Sequence, residues 1–394
     1  MNAAGLPLPR ALPLAGVRIL AVEQYGAGPF GSLHLADLGA EVIKIEAPGG
    51  GDVSRATGPH FLGPDDSQFF QTFNRNKSSV VLDLKSDAGR ASFHSLVASA
   101  DAVLNNLRGD QPARLGLTHA ALQALNPRVV CAHLSAYGRD NERAAWPGYD
   151  YLMQAECGYL HLTGEPDGPP TRMGLSMVDY MTGVTLAMGL LAALIGAMKT
   201  GHGRDVDVSL FDVALFQLTY PATWYLNGGS VTTRQPQSAH PTTVPCQLFA
   251  SADGHVFVMC MTAKFWDLLV DEIGNPGLRA ERFATVAARR QHRTELIALL
   301  NVEFVQRSTT AWLTALAGKL PIAPVLGLAQ ALDNPYLQRN GLLQALPHPA
   351  DPELRVLASP IKLDGQRLPG RAGSALGADT ARLLGEAADP PAAP

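Results

Sequence analysis

The sequence predicts an α/β protein: a doubly wound, mostly parallel sheet followed by a second, smaller α/β domain. Short apolar stretches alternate with helical ones over 17–226, the order that builds strand–helix–strand crossovers. A glycine-rich turn, Gly26-Ala-Gly28-Pro-Phe-Gly31, follows the first strand. Near Asn227 the texture turns to Gly, Thr, Ser, Gln and Pro, the composition of a linker.

The elements follow in order. Residues 17–22 are a short apolar strand, the helix after the glycine turn runs through about Leu38, and 41–46 is the next strand. Strands are then expected at 79–84, 102–105, 129–134 and 204–210, and helices at 87–98, 118–125 and 211–226, with a further helix beginning within 149–158. The run 184–198 carries no charge and reads as a buried helix. Ligands on such sheets bind beyond the carboxyl ends of the strands, where Gln24, Lys85, Asn106 and Arg108 fall. The large domain thus spans 15–226 and a linker spans 227–245. A small domain occupies 246–318, with a hairpin at 247–249 and 255–260 around Asp253-Gly254 and helices at 264–273, 288–304 and 309–318. Residues 319–345 read as a second linker, and 346–386 as a return to the large domain with an extended piece to 365 whose partner is open. Residues 1–14 and 387–394 read as tails.

Composition excludes several classes. The chain has 394 residues, 46% hydrophobic and 17% charged, which fits a soluble globular protein of two domains, or of one with a large insertion. A formal net charge of −4 gives no reason to expect nucleic acid or an anionic membrane. Cys131, Cys157, Cys246 and Cys260 show no C-x-x-C spacing, so no metal site or disulfide framework is expected, and a reducing, cytoplasmic compartment is the default. Three prolines, Pro7, Pro9 and Pro13, interrupt the start, which is no signal peptide. The 184–198 run falls short of the roughly 20 residues a membrane helix needs.

Two stretches suggest chemistry. Asp179 stands at or just before the first turn of the 184–198 helix. It can be a helix cap, or an ionised carboxylate nucleophile. A helix N-terminus stabilises an acid by about 0.3–1 kcal/mol, less than the ~1.36 kcal/mol of one pKa unit. It would keep Asp179 ionised without making it an unusual acid. The glycine turn matches G-x-G-x-x-G, and Glu46 follows its first glycine by 20 residues, as in dinucleotide-binding units. An NAD-dependent oxidoreductase is therefore a rival reading, although Pro29 removes one backbone donor from the turn.

A longer series of motifs points elsewhere. Gly26-Ala-Gly-Pro29, Leu38-Gly-Ala-Glu-Val-Ile-Lys-Ile-Glu46, Phe73-Asn-Arg-Asn-Lys77, Leu82-Asp-Leu-Lys85 and Leu125-Asn-Pro127 are followed by Pro147-Gly-Tyr-Asp150, Leu162-Thr-Gly164, the stretch around Asp179, and Thr200-Gly-His-Gly-Arg-Asp-Val-Asp-Val-Ser-Leu210. In order and spacing this resembles the class III CoA-transferases, the CaiB/BaiF family, which includes formyl-CoA:oxalate and carnitine CoA-transferases. The likeness is close over about 15–220 and looser to about 365.

The resemblance implies a Rossmann-like large domain with a smaller α/β domain, and two chains threaded through each other as an interlocked homodimer. It implies CoA transfer from an acyl-CoA to a small carboxylic acid through a mixed anhydride and an aspartyl-CoA thioester on Asp179; a dicarboxylic acid is a candidate on the strength of spare arginines alone. Coenzyme A would enter as acyl-CoA substrate, with no permanently bound cofactor and no metal. Tyr149 falls where transferases place an aromatic residue near the thioester, and Asp150 where an acid lies near the nucleophile. Leu82, Lys85, Asn106, Leu107 and Arg114 fall at CoA-binding places; Lys85 and Arg114 suit the phosphates of CoA. Gly26, Ala47 and Pro147 depart from formyl-CoA transferase and count against formate and oxalate. Racemases of the same family carry histidine where this chain has Tyr149, which favours transfer over racemisation. Arg172 and Arg143 could clamp a distal carboxylate, and His240 is a further substrate-site candidate. Asn227-Gly-Gly229 is a weak match to the family's active-site loop.

Overall fold

The computed structural model describes residues 11–385, so the tail expected at 387–394, and most of that at 1–14, lie outside them. The chain divides into two compact units. The first comprises the chain up to Cys157, Gly174–Leu218, and the chain from Pro335 on. The second comprises Gly158–Met173 and Thr219–Asn334.

In the first unit the elements run β1 (Arg18–Val22), α1 (Ala27–Asp37), β2 (Glu41–Glu46), α2 (Gln68–Asn74), β3 (Ser78–Val81), α3 (Asp87–Val97), β4 (Ala102–Asn105), α4 (Gln111–Arg114), α5 (His119–Leu122), β5 (Val130–Ser135) and α6 (Asp150–Glu156). After α7 (Tyr159–Leu162) in the second unit come α8 (Met177–Thr200), β6 (Asp205–Ser209) and α9 (Leu210–Phe216). The sheet is parallel throughout, in the order β3-β2-β1-β4-β5-β6. Strand order reverses between β1 and β4, which opens a crevice at their carboxyl ends. Leu20, Ile43, Val80, Val103 and Cys131 fill one face under Phe93 and Leu96 of α3. Helix starts follow the local chemistry: Ser86 and Ser209 accept from the amides of Gly89 and Asp212.

The C-terminal segment closes the β3 edge, which would otherwise offer unpaired backbone groups. Asp379 accepts the Ser79 N–H at 3.0 Å, and Thr380 Oγ1 accepts that of Val81 at 3.1 Å. The late extended piece also finds its partners: β10 (Leu343–Ala345) pairs with β11 (Arg355–Leu357), and β12 (Lys362–Leu363) with β13 (Gln366–Arg367).

Helix α8 differs from expectation. It has 24 residues and begins before the uncharged run, so Asp179 lies inside its first turn. By length and composition it could cross a membrane. The shortness of 184–198 therefore decides nothing. What makes α8 a core helix is the burial of Val178, Thr182, Gly183, Leu186, Leu190, Ala193 and Ala197. It crosses α1 at a glycine contact, where a Cβ on Gly31 would stand 2.5 Å from the Gly183 carbonyl oxygen.

The second unit continues with α10 (Thr219–Gly228), β7 (Cys246–Ala250), β8 (His255–Met259), α11 (Ala263–Ile273), α12 (Val286–Gln291), α13 (Arg293–Phe304), α14 (Thr309–Leu316), β9 (Ile322–Pro324) and α15 (Leu328–Leu332). The expected helix 211–226 is split, with α10 beginning at Thr219 in a left-handed conformation (φ 48°). The expected helix 288–304 breaks at His292 between α12 and α13. The hairpin forms as read, and β9, from the stretch expected as linker, joins it as a third antiparallel strand. Phe249, Phe304, Trp266 and Trp312 centre the core, with Phe249 stacked on Phe304 at 4.4 Å. Residues 158–173 belong here because the Arg234 guanidinium donates to the carbonyls of His161, Glu165, Gly168 and Pro169.

Candidate active site

The crevice between β1 and β4 is stitched by a reciprocal pair. The Gln24 N–H donates to Asn106 Oδ1 at 2.9 Å, and Asn106 Nδ2 donates to the Gln24 carbonyl at 2.7 Å. The turn that follows uses each glycine of G-x-G-x-x-G for a protein neighbour. A Cβ on Gly26 would lie 3.0 Å from Asp179 Oδ2, and one on Gly28 would lie 2.8 Å from the Asn106 side chain. Gly31 takes the Gly183 backbone, as described. Glu46 is buried against Arg55, with hydrogen bonds of 2.8 and 2.7 Å. The glycines are thus accounted for by the close approach of Asp179, Asn106 and Gly183, and the acid meant for a ribose is committed to Arg55. The NAD reading loses both supports.

Asp179 projects from the first turn of α8 into a cavity of about 970 Å³ in the first unit. Asp150, the buried first residue of α6, accepts the Asp179 N–H through Oδ2 at 3.0 Å. Its Oδ1 accepts from Gln154 Nε2 at 2.6 Å. Burial of the Asp179 carboxyl, with the Asp150 charge adding to it, pushes the Asp179 pKa up to about 7. The expectation of an ordinary, fully ionised acid is corrected. Desolvation and a like charge oppose ionisation, and together they exceed the fraction of a unit that a helix N-terminus supplies.

The cavity wall is formed by Gln24–Ala27 after β1, by Asn106, Leu107, Arg108 and Gln111 after β4, and by Leu134–Ala136 at the carboxyl end of β5. Tyr149, 66% exposed, shares the rim with Tyr151 and Leu152. Of the residues expected at the site, Asp179, Asp150, Tyr149, Asn106 and Leu107 come together here.

Others do not line this cavity. Leu82 is packed in the sheet core. Lys85 is exposed on the loop after β3, at the edge of the sheet rather than at the switch point. Arg114 is exposed and pairs with Asp110 at 3.1 Å, one helical turn away. Arg172 and His240 belong to the second unit. His240 Nδ1 accepts the amides of Thr242 and Thr243, and burial together with Arg293 lowers its pKa, so it serves its own loop. Arg143 is not a free clamp: it pairs with Glu156 and stacks on Trp146 at 4.9 Å.

Sequence reasoning placed Gln24 and Arg108 at strand ends without assigning them to the site, and it missed Tyr25, Val53 and Gln111. The strand-end rule was the usable signal for Arg108. Tyr25, with φ 68°, takes a conformation that a tyrosine rarely adopts and that no residue pattern announced.

The sequence profile of CoA-transferase family III matches residues 14–380. The chain belongs to CoA-transferase family III. It is an enzyme of the CoA-transferase type, as its relatives are named. A succinate–glutarate CoA-transferase of Agrobacterium fabrum is 34% identical over 340 residues, covering 84% of this chain and 85% of that one. An acetyl-CoA:oxalate CoA-transferase of Acetobacter aceti is 35% identical over 335 residues, with coverage of 84% and 85%. Among solved structures, a CaiB/BaiF family protein from Brucella suis superposes with a TM-score of 0.82 at 30% identity, covering 96% of this chain and all of that one (100%). The family III transferase therefore shares the CaiB/BaiF mixed α/β fold.

Proposed function

We propose that this transferase moves CoA from an acyl-CoA donor to a small dicarboxylic acid, with Asp179 as covalent carrier. The observation that carries the reading is the Asp179 carboxylate itself. It is half-buried at a cavity large enough for an acyl-thioester end, is held by its backbone to Asp150, and titrates near neutrality. An Asp179 oxygen attacks the thioester carbonyl, and the CoA thiolate leaves as a mixed anhydride forms. The thiolate then attacks the aspartyl carbonyl, giving Asp179–C(O)–S–CoA and releasing the donor acid as its carboxylate. An acceptor carboxylate attacks that thioester, and the same two exchanges in reverse give the new acyl-CoA and restore Asp179. One thioester replaces another, so no energy input is needed. A desolvated carboxylate is a stronger nucleophile than a hydrated one, and a pKa near 7 leaves a large ionised fraction at neutral pH.

The relatives that act on succinate, glutarate and oxalate support a dicarboxylic substrate. Arg108 on the cavity wall is the group suited to an anionic part of either substrate. Tyr149 and the other rim aromatics would cover the thioester, and Asn106 and Leu107 would lie along the CoA arm. A homodimer fits the apolar residues that α8 leaves exposed, Val184, Met188, Ile195 and Met198. A reducing, cytoplasmic setting suits four buried free thiols.

The test is a panel of acyl-CoA donors, succinyl-CoA and glutaryl-CoA included, against succinate, glutarate, mesaconate and oxalate, read by exchange of the CoA moiety. Transfer to a diacid that vanishes in Asp179→Asn is expected. Equal transfer by Asp179→Asn contradicts the reading. Deuterium exchange at the α-carbon without acyl exchange would replace it by racemisation.

A further inference from the structure

Beneath the turn that faces Asp179 lies a buried set of charges to which the transfer chemistry assigns no role: Lys44, Asp52, Glu46 and Arg55, each at most 3% exposed. Asp52 links them to the turn. Its Oδ2 pairs with Lys44 Nζ at 2.7 Å, and its own N–H donates to Glu46 Oε2 at 2.9 Å. Its Oδ1 accepts two backbone amides, Tyr25 at 3.0 Å and Ser54 at 2.9 Å. Lys44 Nζ in turn donates to the Glu23 carbonyl at 2.9 Å. The ion pair therefore grips the turn on both sides of Gln24.

Tyr25 sits at φ 68°. A non-glycine residue is held there against a penalty, and it relaxes unless its surroundings over-determine it. The next residue, Gly26, is the one whose Cα faces the Asp179 carboxylate. Ser54 is fixed by the same Oδ1, and with it Val53, another wall of the cavity.

From this geometry we infer that Asp52 is a positioning residue: anchored on Lys44, it holds Tyr25 in the left-handed conformation and so sets Gly26 against the nucleophile. Its effect reaches the reaction through the backbone, and Asp52 does not touch substrate. A misplacement of the turn by about 1 Å alters the room and the donors around a forming tetrahedral centre, and shifts of that size cost up to about a hundredfold in rate. The inference rests on the reading of Asp179 as nucleophile.

The test uses the full chain, succinyl-CoA and glutarate. Asp52→Ala is expected to lose roughly tenfold or more in kcat with little change in KM, while circular dichroism stays as in the wild type. Tyr25→Gly supplies a background in which positive φ carries no penalty. There Asp52→Ala should cost much less than in the wild type, so the two changes are non-additive. Asp52→Asn keeps an oxygen for both amides but loses the ion pair to Lys44, so its kcat should fall between those of Asp52→Ala and the wild type. It also serves if the alanine variant fails to fold. A crystal structure of Asp52→Ala, or of Asp52→Asn in that event, gives a readout free of activity: Tyr25 should leave the left-handed region in the first and keep it in the second. Unchanged kcat with Tyr25 in place in Asp52→Ala, equal losses in both backgrounds, or an Asp52→Asn as impaired as a substitution that removes the acceptor would overturn the inference. Failure of the nucleophile reading looks different: Asp179→Asn would stay active while the Asp52–Tyr25 coupling persisted.

Discussion

Asp150 Oδ2 accepts the backbone N–H of Asp179 at 3.0 Å, so one carboxylate caps the helix whose first turn carries the other. The arrangement orients Asp179 and at the same time sets a negative charge beside it. Burial is the larger cause of the raised Asp179 pKa and Asp150 the second.

The rate should follow that titration. Transfer is expected to rise with pH through a limb near 7, where Asp179 loses its proton. Asp150→Asn keeps an acceptor for the Asp179 amide but removes the like charge. Its limb should move to lower pH while staying above the ordinary carboxylate range, because burial remains. A limb that does not move in Asp150→Asn would remove Asp150 from the electrostatic account.

Stability carries the opposite sign. The folded pKa of Asp179, about 7, lies above its ordinary 3.8. Between those values the unfolded chain has released the proton and the folded chain retains it, so stability falls as pH rises through the window. Asp179→Asn removes this loss. Its melting temperature should exceed that of the wild type by an amount that grows from about pH 4 to about pH 7 and is constant above. Thermal melts across that range decide it.

The crossing of α1 and α8 makes a steric prediction. A Cβ at Gly31 would lie 2.5 Å from the Gly183 carbonyl oxygen, so the helices must separate. Gly31→Ala should destabilise by about 1–3 kcal/mol and lower activity with it. Gly196, also within α8, has nothing within 4 Å of the same position. Gly196→Ala should stabilise by roughly 0.5–1 kcal/mol through helix propensity. Urea denaturation of the two variants tests both.

Arg108 is the cation that lines the cavity among the described residues, beyond the carboxyl end of β4. Arg108→Ala should raise KM for an anionic substrate about tenfold, the loss of one charge-assisted contact. Lys85→Ala, on the sheet-edge loop, should change KM less. Equal effects would show that the bound CoA reaches the β3 loop.

Much of this was legible in the residues. Strands such as Ala102–Asn105 and the 19–22 part of β1 stand out because both faces of a parallel sheet are buried and the runs are apolar. Asp179 was legible as a lone acid ahead of a long uncharged helix. Its raised pKa was not, because the cause lies first in burial that only the assembled fold produces, and then in Asp150, 29 residues earlier. The glycine turn misled for a related reason. Gly26, Gly28 and Gly31 are needed for close approach, as the motif says, but the approaching groups are Asp179, Asn106 and Gly183. The Arg234 clasp that places 158–173 in the second unit joins segments far apart in the chain and leaves no periodic mark.

The proposed chemistry turns on where CoA becomes attached. The direct measurement is mass spectrometry of the enzyme after brief incubation with its acyl-CoA donor without acceptor, followed by mapping of the modified peptide. The prediction is a CoA-sized adduct on the peptide containing Asp179, discharged by a diacid acceptor and absent in Asp179→Asn. An adduct on another residue, or full transfer by an enzyme that never carries CoA, would contradict it.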